Sequence, residues 1–110
     1  MKLKSSVKGS FTVLLIEQED NSIQELFELK DTISNLLDEG TRNIAVRFSN
    51  VSYIYSGEIR VLISCYKLVQ GHGGTLCIVE PKDTVHKVLK ELKIESMIKI
   101  VDNEDMLKDL

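Results

Sequence analysis

The chain has 110 residues, 43% of them hydrophobic, and its 14 basic and 17 acidic residues give a formal charge of −3. A single domain spanning residues 1–110 can bury a two- or three-layer core without disulfides or metals, and the weakly acidic balance, with no basic cluster, argues against phosphate-driven nucleic-acid binding. Neither a charged leader nor an apolar run near the ~18 residues of a membrane span is present, so no membrane association and a cytoplasmic location are expected.

Leu3, Ser5 and Val7 alternate with Lys2, Lys4 and Ser6. After Lys8-Gly9-Ser10 comes the largely apolar run Phe11 to Ile16, so the start reads as a hairpin with a polar outer strand. The run Glu17 to Ser22 breaks the strand, and Asn21 or Ser22 suits a helix cap. Leu26, Phe27, Leu29, Ile33, Leu36 and Leu37 then repeat at helical spacing as far as Gly40, a natural left-handed stop. Ile44, Ala45, Val46 and Phe48 form a run too apolar for a strand with one wet face, which predicts a parallel strand covered on both sides and interrupted by Arg47.

From Val51 to Ile63 the chain leaves the sheet, turns at Ser56-Gly57 and enters a second helix with Ile59, Leu62, Ile63, Tyr66 and Val69 on one face. Gly71-His72-Gly73-Gly74 ends that helix. Thr75 to Val79 is the next strand, and Pro81 suits the first turn of a third helix presenting Val85, Val88, Leu89 and Leu92. Met97 to Val101 reads as a last strand and Asn103 to Leu110 as a last helix. The order is ββαβαβαβα: an α/β domain with a mostly parallel sheet, an antiparallel N-terminal edge strand and about four helices. Sites in such sheets gather at the carboxyl ends of the parallel strands, which places residues 17–22, 49–57 and 80–83 on one rim.

That rim offers little for catalysis. His72 and His86 fall away from it, leaving no base for Ser56, and no enzymatic activity is expected. Gly71 to Gly74 follows a helix and precedes a strand, the reverse of a phosphate-cradling loop. Glu19 and Asp20 read as solvated carboxylates, and Cys65 and Cys77 as buried, reduced core residues outside any zinc spacing. No metal, cofactor or catalytic residue is expected. By residue type, Ser56 reads first as a helix N-cap. A phosphate there would meet the positive end of the helix dipole and add about 1.5 to 2 negative charges at an exposed rim. Tyr53 and Tyr55, two apart, point to one side of an extended segment; they suit either a protein interface or the core.

The segment Ala45-Val46-Arg47-Phe48-Ser49-Asn50-Val51-Ser52-Tyr53-Ile54-Tyr55-Ser56-Gly57, with Glu28-Leu29-Lys30, Gly73-Gly74 and Leu76-Cys77-Ile78-Val79, resembles the STAS family, the sulfate-transporter and anti-sigma-factor-antagonist domain. The resemblance runs across nearly the whole chain. It implies the STAS fold and the role of an anti-sigma factor antagonist, binding an anti-sigma factor that is also a serine kinase and released when that kinase phosphorylates Ser56. The expected partner surface comprises Asp20, Asn21, Tyr53, Tyr55, Gly57 and Arg60, and a homodimer is compatible with the same reading. The chain departs from the family pattern around the serine: Tyr55 stands for the acidic residue before it, Gly57 for the second Ser/Thr, Glu58 for the glycine and Arg47 for the strand Asp. Arg47 thereby becomes a candidate anion contact. The alternative is a STAS scaffold or small-ligand domain in which Ser56 only caps the helix and Arg47 and Arg60 attract an anion.

Overall fold

The computed structural model describes residues 3–16, 23–48, 56–79 and 83–110. The N-terminal hairpin pairs β1 (Leu3–Lys8) antiparallel with β2 (Phe11–Ile16). Helix α1 (Ile23–Asp38) leads to β3 (Asn43–Phe48), α2 (Ser56–Gly71) to β4 (Thr75–Val79), and α3 (Asp83–Glu91) to β5 (Lys99–Val101). Two 3₁₀ helices complete the chain, η1 (Ile94–Ser96) before β5 and η2 (Glu104–Asp109) after it. The strands stand in the sheet in chain order, β1-β2-β3-β4-β5, and β2 through β5 run parallel.

That order fixes where the helices go. When every crossover steps to the next strand in the same direction with the same right-handed turn, all the connecting helices fall on one side of the sheet. One core accordingly joins Leu29, Ile33 and Leu37 of α1, Leu62, Cys65 and Val69 of α2, and Val85 and Leu89 of α3 to the inward strand residues Leu14, Ile16, Ile44, Val46, Phe48, Leu76 and Ile78. On the other side of the sheet a smaller cluster joins Phe11, Val13, Ala45, Cys77, Val79 and Val101 to Leu107 of η2. β3 is therefore covered on both sides as its composition predicts, by helices on one face and around η2 on the other.

The helix stops follow from backbone chemistry. α1 gives way to a turn through Gly40, whose φ is +100°. Beyond α2, Gly73 has φ +76°; its amide donates to the Gln70 carbonyl, and the Gly74 amide to the Val69 carbonyl at 2.9 Å. Those two bonds satisfy carbonyls that the helix leaves open. Gly74 is required for a second reason. A Cβ there would stand 2.1 Å from the Arg42 carbonyl oxygen, because the chain entering β4 runs close beside the chain entering β3, with the Thr75 amide donating to that same carbonyl.

Three expectations need correction. α3 ends at Glu91 because Lys93 takes the left-handed conformation, φ +58°, so Leu92 is exposed and Ile94 takes the buried place. The last strand begins at Lys99 and not at Met97, since the Ile98 amide is spent on the Ile94 carbonyl. The C-terminal segment is a 3₁₀ and not an α-helix, with the Asn103 side chain accepting from the Met106 amide. Pro81, Asn21 and Ser22 lie outside the described residues.

Candidate functional site

α2 runs back from the carboxyl end of β3 to the amino end of β4, so its first residue, Ser56, stands at the carboxyl-end rim of the parallel strands. The serine read from the sequence as an N-cap is the first helical residue of α2. It begins a helix of 16 residues, and the amides of the first turn have no carbonyl partner inside the helix, which gives this end its partial positive charge. Gly57 is half-buried and Arg60 exposed on the same turn. Asp20, Asn21, Tyr53 and Tyr55 lie outside the described residues.

Glu58 is the residue that sequence reasoning passed over. It is 3% exposed, the one buried charged side chain among the described residues, and belongs to the first turn of α2. The signal was available, since Glu58 stands four residues before Leu62 on the stripe that continues to Cys65 and Val69, all buried. A carboxylate two residues after Ser56 already offers negative charge to the positive end of the helix.

Arg47 faces the other way. Its register partners, Leu15 on β2 and Val79 on β4, place it on the sheet face opposite the helices, where its Nη1 donates to Glu104 Oε2 of η2. Both side chains of this ion pair are half-buried. Arg47 is thus engaged away from α2, and an anion contact from it competes with Glu104.

The clefts among the described residues lie elsewhere again. One of about 340 Å³ is bounded by Asp83, His86, Lys87, Lys90 and Glu95, beside α3 and η1. His72 sits exposed at the end of α2 with Nδ1 2.9 Å from the Leu68 carbonyl oxygen. Burial pushes the thiols of Cys65 and Cys77 up to about 11, so both stay protonated and inert near neutrality. Among the described residues no cluster of three or more His, Cys, Asp or Glu could hold a metal, and no helix is long and apolar enough to cross a membrane.

A mixed five-stranded sheet with its helices on one face matches the STAS architecture, and the STAS domain family matches residues 25–106. The chain belongs to the STAS family. Among solved structures it is similar to TM1081 of Thermotoga maritima, a candidate anti-sigma factor antagonist, at 22% identity over 97% of this chain and 92% of that one, with a TM-score of 0.85. The solution structure of TM1081 gives 20% identity over 99% and 87% at the same TM-score. The phosphorylated form of the Bacillus cell-fate determinant SpoIIAA is similar at 13% identity over 98% of both chains, with a TM-score of 0.70. At these identities the likeness is one of fold. No curated protein matches in sequence.

Proposed function

We propose that this STAS domain is an anti-sigma factor antagonist that docks a kinase anti-sigma factor through the rim around Ser56 and is released when Ser56 is phosphorylated. The observation that carries the reading is the position of Ser56, the first residue of a 16-residue helix at the carboxyl-end rim, in a chain whose fold resembles phosphorylated SpoIIAA. A phosphate at this point gains from the helix dipole and leaves the fold intact. The same dianion must be desolvated or repelled when a partner closes over it, which costs an interface several kcal/mol. Gly57 and Arg60, with Asp20, Asn21, Tyr53 and Tyr55, form the contact surface in this reading. The test is binding to the kinase anti-sigma factor of the source cell. Ser56→Ala keeps the complex and blocks phosphate incorporation, whereas Ser56→Asp weakens it about tenfold or more; equal complexes from both variants would sink the switch.

A second reading, a scaffold that is never phosphorylated, draws on Glu58. With a buried carboxylate already in the first turn of α2, the helix end has its anion, and Ser56 serves only the backbone. Under that reading the purified kinase leaves Ser56 unmodified and transfers phosphate to it in a Glu58→Gln variant.

A further inference from the structure

We propose that the sheet face opposite the helices is a second docking surface, built for an acidic amphipathic segment of a partner protein, with η2 as its resident competitor. The described strands contain four basic residues, Lys4, Lys8, Arg47 and Lys99, and no acidic one. All four point to this one face. Lys4 stands opposite Leu15, which stands opposite Arg47; Lys8 stands opposite Phe11, and Lys99 opposite Cys77. In a chain of net charge −3 this concentration is a local reversal of sign. Between the basic residues lies apolar ground, Val13, Ala45, Cys77 and Val79.

The segment that occupies the face shows what chemistry fits it. In η2, Glu104 pairs with Arg47 and Asp105 with Lys8 at 3.1 Å, while Leu107 is fully buried in the apolar cluster. Two adjacent carboxylates followed by a leucine thus satisfy both the charge and the apolar ground, and a partner segment with that pattern would find the same complementarity. The resident is short and partly exposed. It is a single stretch of 3₁₀ helix, whose hydrogen bonds are poorer than those of an α-helix; Met106 and Leu110 are exposed, and Asp105 is largely solvated. Only Asp102 and Asn103 separate it from β5. The Ser56 rim plays no part in this proposal.

The experiment uses the full chain and a fluorescein-labelled synthetic peptide with the sequence of residues 102–110, read by anisotropy. A Leu107→Ser variant that keeps its far-UV circular dichroism is expected to bind the peptide about tenfold more tightly than the parent chain. Its Cys77 should be alkylated by N-ethylmaleimide about tenfold faster, with Cys65, on the helix side of the sheet, unchanged as the internal control and with peptide restoring protection. Adding Arg47→Glu should abolish binding, and a peptide carrying Glu104→Arg should recover it. Unaltered Cys77 labelling in a folded variant, binding indifferent to Arg47→Glu, a dimer that protects Cys77 without peptide, or preference for phosphatidylserine vesicles over the peptide would each overturn the proposal. If Leu107→Ser unfolds, the Glu104→Gln/Asp105→Asn variant decides in the same way: faster labelling of Cys77 alone supports the proposal, and its absence overturns it.

Discussion

Arg47 of β3 and Glu104 of η2 form a half-buried ion pair between residues 57 apart in sequence, fastening the C-terminal turn to the centre of the sheet. Removing one member of such a pair takes a charge-assisted contact from the other in a medium that screens poorly. Glu104→Ala should therefore lower stability by about 1–3 kcal/mol and Glu104→Gln by less, read as the urea midpoint at unchanged m-value. In a double-mutant cycle with Arg47→Ala the two losses should be clearly non-additive, whereas simple addition would mean that the contact contributes nothing.

Gly74→Ala is expected to be strongly destabilising. A methyl group 2.1 Å from the Arg42 carbonyl oxygen and 2.9 Å from Val69 Cγ1 cannot be accommodated without moving the backbone that starts β3 and β4. A loss of roughly 2–4 kcal/mol is expected, visible as a large drop in thermal midpoint.

Glu58 should tolerate Gln better than Lys. The amide keeps the shape and one acceptor oxygen of the carboxylate, while an ammonium puts positive charge into a buried site at the positive end of α2. Glu58→Lys is expected to cost about 3 kcal/mol or more and Glu58→Gln about 1 kcal/mol, by chemical denaturation. Equal effects would remove any electrostatic role for Glu58.

Alkaline stability is set in part by the two thiols. Burial raises both folded-state values to about 11 from an ordinary 9.0, so the unfolded chain releases these protons first as pH rises. Their contribution is fully present below pH 9 and is lost progressively as pH climbs through 9 towards 11. A Cys65→Ala/Cys77→Ala variant should show a flatter decline of stability across that window.

At Ser56 an aspartate should weaken partner binding without unfolding the domain. A carboxylate in the first turn is favourable to the helix by roughly 0.3–1 kcal/mol, so the thermal midpoint of Ser56→Asp should match or exceed that of the parent chain. A lowered midpoint would attribute the binding loss to damaged structure.

Legibility of the sequence tracked the range of the physics. The stripe Leu29, Ile33 and Leu37 and the stop at Gly40 are set by neighbours three or four residues away, and the helix forms where the spacing predicts it. The exchange of Leu92 for Ile94 in the core turned on one left-handed residue, Lys93, a conformation that residue type gives no reason to expect. Glu58 lay on a legible stripe but was hidden by its charge. Arg47 could be placed on a strand and not matched to Glu104, because nothing local connects the two.

The monotonic order of the sheet bears on how the molecule is made. Each strand docks beside the one synthesised just before it, so the sheet can be extended outward as the chain leaves the ribosome, with short closures at every step. Among the described residues only η2 must travel back, seating Leu107 beneath the sheet and bringing Lys108 to the hairpin at Gly9, where a Cβ would meet the Lys108 Cα at 3.3 Å. A nascent chain therefore completes its helix side first and carries a basic, uncovered underside until η2 emerges.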